Sequence, residues 1–264
     1  MPDASTDYTV DELIVSLIAH DIRDHELVQQ GGGTLLGTVA VLLARRTHAP
    51  NLTYNYLTSM DPIVTSVGNP ADSPHVVSQT ALAPFDIADI VNMCLRGKTD
   101  VFSTMPAQVD QYGNVNASLI GDDQQRPKVR FPGGLGITDW TLYAGRVNVY
   151  VPKHTRRVFV EKVDYVTGMG HFPGGFAERV RRGVPGRGPQ KVFSNLAVMG
   201  FDAETGRMRL DSLHAGVRLE DVQANTGFDL LLPERIPETP APTVEEVELI
   251  RNEIDPKGLR KARF

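Results

Sequence analysis

Cysteine is almost missing from this sequence: Cys94 stands alone among 264 residues. A single thiol excludes a disulfide framework and any cysteine-based metal site, and it favours a reducing, cytoplasmic setting. Long apolar runs are missing too. The longest, such as 39–44, fall far short of the roughly 20 residues that cross a bilayer, so no membrane association is expected. The first eight residues are polar and acidic, and no basic segment leads into an apolar stretch, so no signal peptide is expected. Nor is there a basic excess. The formal net charge is −5, which argues against nucleic acid as a partner, because phosphate contacts need a basic face. The seven histidines (His20, His25, His48, His75, His154, His171 and His214) fall at no familiar metal-ligand spacing. Neither Ser59 nor Ser66 lies in a nucleophile elbow. No metal site and no catalytic triad are expected. There is no internal repeat and no low-complexity tract.

What is present reads as one α/β domain over residues 1–264. A chain of this length buries about 70–75% of its unfolded surface and needs no covalent or metal staple. Thr9 and Glu12 form a capping-box pattern, and Val10, Leu13, Ile14, Leu17 and Ile18 follow at helical spacing, which predicts a helix over 10–19. A strand at 26–30, the turn Gly31-Gly32-Gly33, a helix at 35–46 and a strand at 52–56 make a βαβ unit, the grammar of a parallel sheet. The pattern recurs with a helix at 87–96, strands at 100–103, 115–120 and 128–131, a helix at 139–144, and strands at 147–151 and 158–162. Residues 196–201 and 208–213 around Glu204-Thr205-Gly206 predict a hairpin. A short helix spans 219–225. Residues 233–242, with four prolines, form a stiff connector, and Thr243 with Glu246 opens a final helix running to about 253. Cys94, on the apolar face of the helix at 87–96, is read as core.

Four segments carry candidate chemistry. Gly31-Gly32-Gly33 precedes a helix, where backbone N–H groups can cradle an anion. Its spacing departs from a dinucleotide fingerprint and it lacks the lysine of a phosphate loop, so a plain tight turn is the better reading. Phe131-Pro132-Gly133-Gly134-Leu135-Gly136 permits close backbone approach to a ligand. Free N–H groups there suit a thioester oxyanion or an enolate; a sharp turn without a ligand fits the spacing equally well. In the segment Ala107–Asn116, Gln108, Asn114 and Asn116 can orient a polar substrate, but the spacing favours a loop in which Asp110 and Asn114 satisfy backbone groups. The stretch Arg179–Lys191 holds Arg179, Arg181, Arg182, Arg187 and Lys191 among glycines and prolines. It is expected to form no regular element. A solvated loop is the default reading; the functional alternative is a loop that meets the phosphates of a nucleotide-like ligand, or a partner chain.

Together these segments resemble the beta subunit of class I coenzyme A transferases of the glutaconate type. The resemblance rests on Thr47-His48-Ala49-Pro50-Asn51-Leu52, on Ala107-Gln108-Val109-Asp110 through Gly113-Asn114-Val115-Asn116, on Phe131-Pro132-Gly133-Gly134-Leu135-Gly136, and on Val158-Phe159-Val160-Glu161-Lys162-Val163-Asp164, in that order, and it covers residues 11–227. It implies an open, mostly parallel sheet flanked by helices, with a C-terminal hairpin and helix. It also implies an alpha-type partner subunit, an α2β2 assembly, and an active site between subunits. Coenzyme A would enter as part of the substrate, so no separate cofactor is expected.

One departure from the family is chemical. Such transferases place an attacking glutamate after the tyrosine of the strand that follows His-Ala-Pro. Here the residues are Tyr56-Leu57-Thr58-Ser59, and Leu57 has no nucleophilic atom. The nearest carboxylate, Asp61, lies four positions on, before Pro62. The sequence resembles a branch of the family that hydrolyses rather than transfers: the two-subunit enzyme opening the last ring in bacterial steroid breakdown. That likeness implies a cyclic enone carboxyl-coenzyme A substrate, water addition and carbon–carbon cleavage. Backbone N–H groups of Gly133, Gly134 and Gly136 would be oxyanion donors, and the main base would come from the partner. Tyr56, Leu57, Thr58 and Ser59 would line the pocket, and Gln108, Asn114 and Arg126 would meet the substrate's carboxylate or carbonyls. For Arg126 a structural ion pair fits equally. A true transferase, or a non-catalytic scaffold subunit, are the alternatives.

Overall fold

The computed structural model describes residues 3–31, 35–56, 59–68 and 74–263. In chain order the elements are α1 (Val10–Asp21), β1 (Leu27–Gln30), α2 (Leu35–Arg46), β2 (Thr53–Tyr56), β3 (Ser59–Met60), α3 (Pro74–Gln79), β4 (Ala83–Pro84), α4 (Ile87–Leu95) and β5 (Val101–Thr104). Four short strands follow: β6 (Gln108–Val109), β7 (Val115–Asn116), β8 (Leu119–Ile120) and β9 (Val129–Arg130). The chain continues through α5 (Ile137–Tyr143), β10 (Arg146–Val151), α6 (Gly175–Arg181), β11 (Pro189–Ser194), β12 (Ala197–Phe201), β13 (Met208–Leu213), α7 (Leu219–Asn225) and α8 (Val244–Leu249).

Nine strands form one sheet in the order β13-β12-β11-β10-β5-β1-β2-β3-β4. The five central strands, β11, β10, β5, β1 and β2, run parallel. Both flanks are antiparallel. Helices cover both faces, as a parallel centre requires. One face, with Val28, Tyr54, Val101 and Tyr150, packs on α1, α2 and the turn Ile250–Ile254. The other, with Phe102, Val147, Val149 and Val192, packs on α4, α5 and α7 through Ile90, Cys94, Trp140 and Val222. Trp140 stacks on Phe102 at 5.2 Å between ring centroids.

The βαβ unit, α2 with its bounds at 35 and 46, and the hairpin of β12 and β13 match the sequence reading. Both capping boxes form: the Thr9 N–H donates to Glu12 at 2.8 Å and the Thr243 N–H to Glu246 at 2.8 Å. Glu12 then serves twice. Its carboxylate and those of Asp11 and Asp255 surround the buried Arg260, at 2.5, 2.7 and 3.0 Å. Burial pushes Glu12 up, but bonds from Arg251 and Thr9 and the charge of Arg260 outweigh it and hold the carboxyl at about 2. The last turn of the chain is thereby tied to its first helix.

Four expectations fail for local reasons. The strand expected at 115–120 splits into β7 and β8, because Asn116 Oδ1 accepts the N–H groups of Ser118 and Leu119 at 3.0 and 3.3 Å and turns the chain. The strand expected at 158–162 is a turn with a single bridge from Phe159 to Val109. The N–H groups of Val158 and Phe159 both bond to the Thr155 carbonyl, and Phe159 is buried under the His154 ring, 3.7 Å away. The basic stretch 179–191 is regular at both ends, where α6 and β11 enter it. The break is confined between Gly183 and Gly188, at φ +71 and +74, where glycine adopts the left-handed region without cost. The last helix stops as α-helix at Leu249 and continues to Ile254 as a wider turn.

Candidate functional site

In open parallel sheets, ligands bind outside the carboxyl ends of the strands, where neighbouring strands connect in opposite directions. Here that point lies between β1 and β5. From β1 the chain crosses through α2 to β2 on one side; from β5 it passes through α5 to β10 on the other. The Gly31 N–H, just beyond β1, bonds to the Ser103 carbonyl at 3.0 Å and holds the two strand ends together.

At this junction the sheet carries polar side chains that none of the described residues satisfies. Gln30 and Ser103 are register partners and lie on the same face. Both amide atoms of Gln30 and the Ser103 hydroxyl are buried, and among the described residues they have no hydrogen-bond partner. The Gln30 side chain rests directly on Gly37 of α2, where a Cβ would collide with its amide oxygen. On the opposite face Gln29 pairs in register with Asn55. The Gln29 Nε2 donates to the Gln30 carbonyl at 3.1 Å, but among the described residues its Oε1 and both amide atoms of Asn55 are unpartnered. Each such group costs about 1–3 kcal/mol. A native protein keeps several together at one strand edge where a ligand or partner completes them.

The glycine segment approaches the same edge. α5 ends where β10 begins, at the amino edge of the sheet, so its first residue and the glycines before it stand toward the carboxyl edge. Gly133, Leu135 and Gly136 have φ of +107, +39 and +86. Among the described residues nothing accepts the N–H groups of Gly133, Gly134, Leu135 or Gly136. Successive amides in such left-handed conformations form a concave donor surface suited to an oxyanion. Gly134 sits where a Cβ would meet Thr167 Cγ2 at 2.7 Å, and at Gly136 a Cβ would enter the Trp140 ring.

Other residues singled out from sequence are engaged within the chain. Gln108 is buried, and its Oε1 accepts from Asn116 at 2.8 Å and from the Asp164 N–H at 3.0 Å. Asn114 donates to Asp110 at 2.9 Å and accepts from the Gly170 N–H at 2.8 Å. Asp110 also takes the N–H groups of Tyr112 and Asn114, both at 3.0 Å. Burial raises its carboxyl above the usual range, and these bonds offset only part of the rise. The loop therefore has the self-satisfied form that its spacing favoured. Arg126 is exposed, and among the described residues it forms no ion pair. Tyr56 and Ser59 face each other as the pair joining β2 to β3. Leu57, Thr58, Gly32 and Gly33 lie outside the described residues. Asp61 is bound by Arg45 and takes the Tyr54 N–H at 3.1 Å. It is occupied as a structural ion-pair partner.

Gln30, Ser103 and Asn55 escaped the sequence reading. In β1 the run Leu27-Val28-Gln29-Gln30 looks like a strand leaving the core for solvent. Only the strand order reveals that these polar residues are buried. Among the described residues no group of three or more His, Cys, Asp or Glu is placed to hold a metal, and no helix is long and apolar enough to cross a membrane.

A family model described as Coenzyme A transferase matches residues 9–225. A subunit of the glutaconate CoA-transferase of Acidaminococcus fermentans is 34% identical over 95% of this chain and 94% of its own. The IpdB subunit of the cholesterol ring-cleaving hydrolase of Mycobacterium tuberculosis is 39% identical over 58% of this chain and 59% of its own. Among solved structures, the decarboxylase AibA/AibB superposes with a TM-score of 0.83 at 30% identity, covering 97% of this chain and 99% of that one. IpdAB of Rhodococcus jostii superposes at 0.80 with 26% identity, covering 98% and 99%.

Proposed function

The chain belongs to the coenzyme A transferase family, and on that premise we propose that it is the beta-type subunit of a two-subunit enzyme that breaks a carbon–carbon bond in a coenzyme A thioester. The observation that carries this reading is Leu57, an aliphatic side chain where the family's transferases carry the attacking glutamate. Acyl transfer through a protein carboxylate then has no nucleophile in this chain. Asp61, the nearest carboxylate, is held by Arg45.

The reaction we assign is hydrolytic opening of a cyclic enone carboxyl-coenzyme A left from a steroid ring. Water adds to the ring's keto carbon, which becomes the product carboxylate. Cleavage of the neighbouring carbon–carbon bond leaves a carbanion that the thioester carries as an enolate. Such a step needs donors for the enolate oxygen and a base for water. The N–H groups of Gly133, Gly134 and Gly136 supply the donors. Gln30, Ser103 and Asn55 orient the substrate's polar groups, and Tyr56 and Ser59, at the turn from β2 to β3, line its path. The base comes from the alpha-type partner, in an α2β2 assembly. Coenzyme A enters as part of the substrate.

The similarity to the decarboxylase AibA/AibB over 97% of the chain favours a second reading, decarboxylation. It too breaks a carbon–carbon bond to leave a carbanion, so it draws on the same donors.

Three measurements on the assembled enzyme separate the readings. Hydroxylamine or borohydride in the presence of acyl-coenzyme A leaves a hydrolase or decarboxylase active and inactivates a transferase. Labelled oxygen from water enters the product carboxylate only in hydrolysis. Carbon dioxide appears only in decarboxylation. Inactivation by the trapping reagents overturns the proposal.

A further inference from the structure

The basic stretch that the proposed reaction leaves unused lines a cavity at the opposite edge of the sheet. The cavity holds about 440 Å³. Its walls come from the amino ends of the parallel strands: Asp100 before β5, Gly145 and Arg146 at the start of β10, and Gln190 and Lys191 at the start of β11. β10 has six residues, so at about 3.3 Å per residue this cavity lies a full strand length, roughly 17 Å, from the carboxyl-edge site.

Its charge is out of keeping with the chain. Five cations, Arg23, Arg146, Arg187, Lys191 and Arg209, line it against three carboxylates, in a protein whose formal net charge is −5. The carboxylates are already committed. Asp21 takes Arg146 and Asn148 at 2.9 and 2.6 Å. Asp100 takes the Leu27 N–H at 2.8 Å. Asp211 holds both Lys191 and Arg209, at 2.5 and 3.0 Å. Among the described residues Arg23 and Arg187 have no ion-pair partner. The backbone beside Arg187 is fixed: the buried Arg179 bonds to the Gly186 carbonyl at 3.1 Å, and it packs so closely on Gly188 that a Cβ there would strike the guanidinium at 2.9 Å.

A second lobe of about 310 Å³ adjoins the first and shares Arg187, Gln190 and Phe201 with it. Three rings line it, His171, Phe176 and Phe201, beside Asp202, whose carboxylate takes the Thr205 N–H and hydroxyl at 2.8 and 2.7 Å. His171 is held in place by its Nε2 bond to the Pro189 carbonyl at 2.7 Å.

We propose that this two-lobed cavity binds a small phosphoryl-bearing anion, with Arg23 and Arg187 as its principal ligands. Guanidinium forks match phosphoryl oxygens in pairs, and saturation of the nearby carboxylates leaves these two arginines for an external anion. The site is separate from the chemistry proposed at the carboxyl edge. The ligand is either a free polyphosphate, filling the cationic lobe alone, or a nucleotide whose base occupies the aromatic lobe.

The test is calorimetric titration of the full chain in its native assembly with inorganic pyrophosphate and, separately, with ADP. We expect one pyrophosphate per chain with Kd below ~1 mM, weakening as salt rises. Arg23→Gln with Arg187→Gln should weaken binding at least ~10-fold, the loss expected when charge-assisted bonds are removed, without changing the melting temperature, because neither side chain forms an ion pair among the described residues. ADP binding more tightly than pyrophosphate identifies a nucleotide; equal affinities identify the free anion. No saturation of either ligand by ~10 mM, or undiminished binding in the double variant, overturns the proposal.

Discussion

Gln30 and Ser103 are register partners on adjacent parallel strands, β1 and β5, and among the described residues neither side chain has a hydrogen-bond partner although both are buried. A bonded polar pair inside a sheet is ordinary. Two unbonded ones side by side, where the chain connections diverge, are a standing cost to stability. If that cost is retained for substrate, Gln30→Leu removes it. Chemical denaturation should show stability unchanged or raised by about 1–3 kcal/mol, while kcat/KM of the assembled enzyme falls at least ~10-fold, as when a charge-free orienting contact of about 1.4 kcal/mol is lost. A destabilised variant of normal activity would show that the amide serves the fold instead.

The glycines before α5 differ in what surrounds them. Gly133 has open space around a prospective Cβ, whereas at Gly136 the Trp140 ring occupies it; both have positive φ. Gly133→Ala should cost backbone strain alone, about 1–3 kcal/mol. Gly136→Ala should cost more, because the indole stacked on Phe102 must also move. Urea midpoints of the two variants check the order, and equal midpoints would remove Trp140 from the account.

Arg179 is fully buried, and its guanidinium meets three carbonyls, of Gly186, Gly170 and Thr141, but among the described residues no carboxylate. Burial pulls its pKa down to about 10. Arg179→Leu strands those carbonyls, so a loss of at least ~3 kcal/mol is expected. The loss should appear in thermal denaturation, together with faster proteolysis between 182 and 188. A melting temperature unaltered by the substitution would contradict this role.

His20 and Glu246 meet at 2.5 Å. The bond from Glu246 raises the histidine's pKa against the opposing effect of burial. Burial would raise Glu246, but the bond from His20 and the Thr243 N–H bring it down to about 2. The raised histidine contributes stability that is complete below its unfolded value near 6.5 and is lost as pH rises through its folded pKa. The depressed carboxyl contributes above its unfolded value near 4.5 and is lost as pH falls toward about 2. The pair is therefore strongest near pH 5–6. His20→Gln should destabilise at pH 5.5 and much less at pH 8.5, as read from denaturant midpoints; a penalty independent of pH would mean that the pair is not ionic.

Legibility from sequence follows the range of the forces involved. α2 is readable to its bounds because helical spacing, the glycines before it and Pro50 after it are local signals. So are Thr9 with Glu12 and Thr243 with Glu246, whose capping bonds span three residues. Val158 to Lys162 mislead because β-branched residues favour strands in general, whereas here Phe159 is drawn into the core under His154. In the site, Gly133 to Gly136 is visible because positive φ demands glycine. Gln30 is not, since its burial depends on β5, some seventy residues away, lying against β1. Arg187 and Arg23 cannot be joined on paper, because their place in one cavity follows from β1, β5, β10 and β11 lying side by side and parallel.

The grip of Arg260 on Asp11, Glu12 and Asp255 also sets an order of events in time. Its bond to Glu12 joins positions 248 apart, so the carboxylates at the start of α1 gain this buried cation only once residue 260 has been made. Without Arg260 the carboxylates of Asp11 and Glu12 lack that cation and resist burial. The docking of Arg260 between them is thus a late, long-range step on which the burial of that face depends.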